Sequence, residues 1–328
     1  MEIPQAITDL MGGCIQCGRC QTVCPSYRHG GTDPKAVMDG DFKSVVKCIG
    51  CGSCTKVCEN TDPWTVMMNM KCRVLGLSVP KIFTETGLVM PKSEVSRSEL
   101  KPDWGGDGVY VMPGCTVEGR APYLTYASSA ALRALGIGCD KIPFNACCTY
   151  PVPFRSITDG ERDVFKVRIG DSAEGKDIVS ICPGCSSELR RSGVESVGIT
   201  NHLAHFTDKI SSLGRVKLRV ALEPGCHREE LIDDLRAVAK ATGADVMDNV
   251  SGCCGKTVEG VRDGLMAERQ AEVAGADVII VSCPMCFSMY DNFAGGKPVM
   301  HIVELVALAS GDSSSLKFHK IPVPLNRA

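Results

Sequence analysis

Over the last two thirds of the chain, short continuous apolar runs alternate with longer segments in which apolar positions recur every three or four residues. Val109-Tyr-Val-Met112 and Val220-Ala-Leu222 are short, continuous and β-branched, and they predict buried strands. Ile178–Ile181 and Val278–Val281 predict two more. Tyr123 to Leu135 and Glu229 to Ala241 carry the helical period. Strand and helix alternating twice over argue a parallel α/β sheet in each half. The longest strongly apolar runs, Val278–Val281 and Val303–Ala309, fall far short of the roughly 18 residues of a membrane span. Hydropathy divides the first 90 residues poorly. The polar, Pro- and Gly-punctuated stretch over residues 91–108 reads as a linker, with a boundary near 105.

The two halves beyond that boundary are copies of one pattern. Val109 to Cys115 recurs as Val220 to Cys226, Asn145-Ala-Cys147-Cys148 as Ser251-Gly-Cys253-Cys254, and Cys182-Pro-Gly-Cys185 as Cys283-Pro-Met-Cys286, at offsets of 111, 106 and 101 residues. Each copy therefore presents Pro-Gly-Cys after its first strand and Cys-Pro-x-Cys after its second, at the carboxyl ends where α/β sheets build sites. His202 and His301 are expected to open the closing helix of each copy, as polar groups at a helix start.

Composition changes the picture at one point. Of 328 residues 44% are apolar and 23% charged, the balance of a globular chain. Lys and Arg total 36 against 38 for Asp and Glu, so no basic face is offered to nucleic acid. Cysteine is the outlier at 20 residues. The first ten residues hold an acid and a proline instead of a basic and apolar leader, so the chain is expected in a reducing cytoplasm. Dense cysteine there means metal or redox chemistry before disulfides.

Eight of the cysteines form two like clauses, Cys14-x2-Cys17-x2-Cys20-x3-Cys24 and Cys48-x2-Cys51-x2-Cys54-x3-Cys58. This is the two-cluster ferredoxin spacing, in which the fourth cysteine of each clause ligates the other cluster. Cys14, Cys17, Cys20 and Cys58 are thus expected to hold one [4Fe–4S] cubane, and Cys48, Cys51, Cys54 and Cys24 the second. The proline that follows the last cysteine is present as Pro25 and replaced by Glu59 in the second clause. Structural zinc or a disulfide framework would leave each three-cysteine head unexplained.

Five cysteines recur in each downstream copy: Cys115, Cys147, Cys148, Cys182 and Cys185, then Cys226, Cys253, Cys254, Cys283 and Cys286. Five thiolates exceed what a cubane or a tetrahedral zinc uses, so a larger cluster or a spare redox-active thiol is implied. This tandem pattern behind a two-cubane module resembles heterodisulfide reductase, as a fusion of its iron–sulfur subunit to its cysteine-rich (CCG-domain) catalytic subunit. Related domains occur in anaerobic glycerol-3-phosphate, glycolate and lactate oxidation systems. The resemblance implies one noncubane [4Fe–4S] cluster on each five-cysteine set, with a small disulfide split between the two. The chain departs from the family signature at Thr149, where Gly is usual and Gly255 stands in the second copy, and in that copy's shorter spacings of 26 and 28 residues.

Cys72 and Cys139 belong to no set and read as buried small hydrophobes. His227, next to Cys226, is a candidate donor to a cluster sulfur or to a leaving thiolate. No phosphate-cradling glycine loop is present, so flavin and nucleotide are expected on another subunit. The expected architecture is a mainly helical two-cluster ferredoxin module over residues 1–105, then two repeated α/β CCG domains over 106–210 and 211–328. The expected function is disulfide reduction of the CoM-S-S-CoB type in methanogenesis, with electrons from a flavoprotein or b-type cytochrome partner that holds the chain at the inner face of the membrane. An electron-relay subunit of a glycerol-3-phosphate, glycolate or lactate dehydrogenase is the alternative, and a zinc-binding scaffold is a third reading.

Overall fold

The computed structural model describes residues 2–248, 252–255 and 258–325; Ser251, which heads the second Cys-Cys motif, lies outside them. The chain forms two compact units. One comprises Met1–Pro80, Pro151–Asp159 and Cys253–Glu268, the other Lys81–Tyr150, Gly160–Gly252 and Arg269–Ala328.

The second unit holds the sheets. Its strands are β1 (Val109–Met112), β2 (Cys139–Lys141), β3 (Ile178–Ser180), β4 (Val197–Gly198), β5 (Arg219–Glu223), β6 (Asp245–Val246), β7 (Val278–Val281) and β8 (Val299–His301). They form two four-stranded sheets of identical order, β2-β1-β3-β4 and β6-β5-β7-β8, in which every pairing is parallel. The sequence repeat is therefore a repeat of topology. All of β3 and β7 is buried, as a parallel sheet covered on both faces requires, and this is why those strands read as unbroken apolar runs. The edge strands are only two or three residues long and partly polar. The predicted helices are present as Tyr123–Ala134 and Arg228–Ala241.

Strand order reverses at the central pairs β1/β3 and β5/β7. In a doubly wound sheet this switch point opens a crevice at the strand carboxyl ends. Helix Gly114–Arg120 follows β1 and helix Pro183–Arg190 follows β3, while helix Pro284–Asp291 follows β7. Pro183 and Pro284 sit at the first helical position, where the missing N–H costs nothing.

Two expectations need amending. Residues 91–108 do not run free as a linker: Ser96 is buried, the Ser93 N–H donates to the Glu118 carbonyl at 2.8 Å, and the Arg97 guanidinium pairs with the Glu118 carboxylate at 2.6 Å. The stretch is irregular because it follows the surface of helix Gly114–Arg120. His202 lies in the last turn of helix Ile199–Ala204 and not at its start, because that helix begins three residues earlier, directly off β4. His301 does cap its helix, Ile302–Ala309, with its ring accepting from the Val303 N–H.

The first unit carries short helices, Gln5–Gly12, Arg19–Thr22, Pro25–Arg28, Pro34–Met38, Ser53–Lys56 and Pro63–Val74. They pack on a core that includes Ile7, Val37, Val45, Val66, Met67 and Met70. Two segments from far along the chain complete it. The Arg155 guanidinium stacks 5.0 Å from the Trp64 ring, the Cys72 thiol donates to the Pro153 carbonyl at 3.9 Å, and Glu268 meets His29 at 3.0 Å. Cys72 and Cys139 are both fully buried.

Candidate functional site

In the first unit the eight clause cysteines line two separate hollows. Cys14, Cys17, Cys20 and Cys58 surround a cavity of about 160 Å³, and Cys24, Cys48, Cys51 and Cys54 line a tighter one with Trp64 and Met67. The fourth cysteine of each clause thus stands with the other clause's head. Backbone geometry in the two heads matches position for position. Gln16 and Gly50 have φ of 55° and 67°, and Gly18 and Gly52 have 79° and 80°. Alternating left-handed residues turn successive N–H groups inward, the nest that receives anionic sulfur. Exposure separates the two: Cys17 is exposed, whereas Cys24, Cys48 and Cys54 are buried.

Gathered in this way, the thiols are hard to ionise. Burial, with Cys14 beside it, raises Cys20 to about 11. Burial raises Cys24 to about 11 and Cys54 further still. A thiolate is the metal-binding form, so a cationic centre among these groups reverses the cost. Among the described residues no three His, Cys, Asp or Glu side chains converge tightly enough to hold a single metal ion. Four thiols line each hollow, the number of ligands that a cubane takes.

In the second unit the first copy's five thiols make one run. Cys147 contacts Cys115 and Cys148, Cys148 contacts Cys185, and Cys185 contacts Cys182. The run continues into the second copy, because Cys182 also meets Cys283, which in turn contacts Cys286. Cys182, in hydrogen bonds from Cys185 and Cys283, is held below the usual thiol range, whereas Cys283 is pushed up to about 12 by Cys182. Cys253 and Cys254 are buried and belong to the first unit.

The glycine of each Pro-Gly-Cys turn explains itself here. Gly114 has φ +72° and a Cβ there would stand 3.1 Å from the Cys185 sulfur; Gly225 has φ +67° and its Cβ would stand 2.9 Å from the Cys286 sulfur. Both turns need a left-handed residue with no side chain, so that the Cys-Pro-x-Cys sulfur can lie against the backbone. Gly225→Ala is expected to lower the unfolding free energy by about 1–2 kcal/mol for the left-handed backbone alone, and more for the contact. Gly136, at φ +71° with nothing within 4 Å of an added Cβ, is the control: urea unfolding should show Gly136→Ala losing only the backbone part. Equal losses would mean that the sulfur contact is unimportant.

A charged support for the first turn was invisible in the sequence. Asn145 accepts from the Gly114 N–H at 3.1 Å and donates to Glu118 at 3.2 Å. Glu118, 2% exposed in its side chain, also receives Lys141 and Arg97. Burial opposes its ionisation, but Lys141 and then Arg97 hold its carboxyl below the usual range.

Thr149 occupies the position where the second copy has Gly255. Its φ is +63° against +72° for Gly255, an arrangement that costs a β-branched residue about 1–2 kcal/mol. The turn directs the Tyr150 N–H onto the Cys148 sulfur. Thr149 is fully buried, and its hydroxyl has no hydrogen-bond partner among the described residues, a further cost of about 1–3 kcal/mol. His227 is mostly buried, 4.0 Å from Glu230. Its Nε2 would be 3.7 Å from a Cβ at Gly184, the same point that lies 3.6 Å from the Cys182 sulfur. The second copy's histidine thus stands over the first copy's Cys-Pro-Gly-Cys.

The 4Fe-4S dicluster domain family matches residues 7–59, and the cysteine-rich CCG domain family matches residues 109–190 and 220–291. Cavities ringed by thiols and these two domain families define an iron–sulfur oxidoreductase component. The chain is 27% identical over 265 residues to a component of the ferredoxin/F(420)H(2)-dependent CoB-CoM heterodisulfide reductase of Methanosarcina acetivorans, covering 61% of this chain and 88% of that one. It is 23% identical over 394 residues to a component of the dihydromethanophenazine:CoB–CoM heterodisulfide reductase of Methanosarcina barkeri, covering 93% and 95%. The chain carries one 4Fe-4S dicluster domain followed by two CCG domains, an arrangement that a fusion of heterodisulfide reductase components fits. A component of the anaerobic glycerol-3-phosphate dehydrogenase of Escherichia coli is 23% identical over 214 residues, 55% of this chain and 54% of that one. A hypothetical protein from Helicobacter pylori shares the fold, with a TM-score of 0.54 at 12% identity over 98% of this chain and 76% of that one.

Proposed function

We propose that this chain is the part of a redox complex that reduces a small disulfide, of the CoM-S-S-CoB type, to two thiolates. The observation that carries the reading is the Cys182–Cys283 contact, which brings the Cys-Pro-x-Cys turns of the two copies together, one for each sulfur of a disulfide. Two cubanes, on Cys14, Cys17, Cys20 and Cys58 and on Cys48, Cys51, Cys54 and Cys24, supply single-electron transfer within a mainly helical module. One noncubane cluster per copy, on Cys115, Cys147, Cys148, Cys182 and Cys185 and on Cys226, Cys253, Cys254, Cys283 and Cys286, supplies iron to capture a substrate sulfur. Two electrons break the S–S bond and leave two thiolates. The chain's own residues shape the turns that present the thiols, exclude water from them and, at His227, offer a proton to a departing thiolate.

As divisions of the sequence the modules proposed are 1–105, 106–210 and 211–328, whereas by packing the first unit's leading segment ends at Pro80 and the unit takes in Pro151–Asp159 and Cys253–Glu268. The more exposed Cys17 makes the first cubane the entry point, facing a flavoprotein or b-type cytochrome. Among the described residues no helix is long and apolar enough to cross a membrane, so attachment at the inner membrane face falls to that partner. The Escherichia coli relative favours a second reading, in which the chain relays electrons within a dehydrogenase and breaks no bond itself.

Disulfide reduction by the purified chain with an artificial one-electron donor tests the first reading against the second. Iron analysis comes first: about 8 irons arise from two cubanes and about 16 if both copies hold four-iron clusters. Zinc in place of the additional iron would overturn the reading. Cys20→Ser should remove about four irons with the first cubane and leave the clusters of the CCG copies detectable by electron paramagnetic resonance. Loss of all iron signals together would show that the sites are not separately assembled.

A further inference from the structure

Thr149 combines three unfavourable features in one residue. It is β-branched at φ +63°, it is fully buried, and its hydroxyl has no partner among the described residues. The second copy shows what the turn needs, a glycine, at Gly255 with φ +72°. A side chain that strains its backbone and leaves a donor unmatched persists where the surrounding structure gives the donor another use. The hydroxyl is carried by the residue directly after Cys148, in a turn that already aims the Tyr150 N–H at the Cys148 sulfur.

Resting on the proposed cluster in the first copy, we infer that the Thr149 hydroxyl is a hydrogen-bond donor to the sulfur of that cluster, one that the second copy lacks. Hydrogen bonds to sulfur stabilise the reduced, more negative state and raise the reduction potential. The first copy's centre is then the easier of the two to reduce. The two copies are alike in topology, and at this turn the hydroxyl makes them unequal, so that electrons arriving one at a time settle first in the first copy.

The test uses the full chain with its clusters and reads potentials, not turnover. Thr149→Gly removes the hydroxyl and relaxes the turn, whereas Thr149→Ser keeps the hydroxyl and sheds the branching methyl. In a redox titration followed by electron paramagnetic resonance, the first copy's signal should move to lower potential in Thr149→Gly. A tenfold fall in the reduced-to-oxidised ratio at fixed potential corresponds to about 59 mV for one electron. Thr149→Ser should stay near the parent value, and the second copy's signal should not move in either variant. If Thr149→Gly titrates like the parent, or if Ser shifts as far as Gly, the donor role is wrong. Clusters that are absent from the copies of the unaltered chain would instead overturn the proposed function on which the inference rests.

Discussion

Cys148→Ser is expected to abolish disulfide cleavage with an artificial one-electron donor while both cubane signals persist. Cys148 sits in the middle of the buried thiol run, touching Cys147 on one side and Cys185 on the other. No neighbouring sulfur can take its place without breaking its own contacts. The expected loss exceeds about 100-fold, since removing groups merely behind a metal ligand already costs 10–100-fold. Cys254→Ser, the equivalent change in the second copy, should match it, because each substrate sulfur needs its own capturing site. In an electron relay the two would differ. Near-normal turnover in Cys148→Ser, with cubanes verified by spectroscopy, would exclude the paired-site mechanism.

The largest effect on stability is expected at Glu304. Its carboxylate is wholly buried and receives the His301 N–H at 2.9 Å, the Ser315 hydroxyl at 2.8 Å and the His319 ring at 2.9 Å. Burial works against the charge on both members of the pair. His319 and the hydrogen bonds nonetheless hold Glu304 below its ordinary value, and Glu304, aided by Asp291, lifts His319 above its own. Removing one partner of such a buried pair costs about 3–5 kcal/mol, and Glu304→Ala should lose that amount in urea unfolding near pH 6. The pH profile follows from the signs. A histidine raised in the folded state stabilises fully below its unfolded value of 6.5 and ceases to do so as pH climbs through the raised folded value. A depressed carboxyl stabilises above its unfolded value of 4.5 and ceases to do so as pH falls through the lowered one. The pair's contribution is therefore greatest between those unfolded values and declines on either side. A Glu304→Ala cost independent of pH would show that packing, not charge, is what the residue supplies.

Much of the framework was legible because burial on two faces writes unbroken apolar runs. β1, β3, β5 and β7 were marked in this way, and the Pro-Gly-Cys and Cys-Pro-x-Cys turns fell where strands end. The edge strands were not, since Val197-Gly198 and Asp245-Val246 are too short for any period to register. Helix Asp159–Asp171 escaped notice because it is strongly polar, with Arg162 and Lys166 among its buried residues. The eight clause cysteines divide between two hollows along lines that spacing suggests, because a tight loop can gather only the thiols of its own head. What the sequence could not reveal was support contributed from a distance. The Asn145–Glu118–Arg97 network unites residues scattered along the chain through their shared need to neutralise one buried carboxylate. Thr149 stands out in the sequence as a departure from the repeat, but its positive φ and a hydroxyl without a partner among the described residues arise only in the folded turn.

The first unit also has a history during synthesis. Its six leading helices end before Pro80, yet the residues that pack against Trp64, Cys72 and His29 come from Pro151–Asp159 and Cys253–Glu268. At a translation speed of 5–20 residues per second, Glu268 leaves the ribosome roughly 10–40 s after Pro80. For that interval the nascent module lacks the partners that pack against Trp64, Cys72 and His29. Packing of the first unit is therefore completed only by a chain translated as far as Glu268.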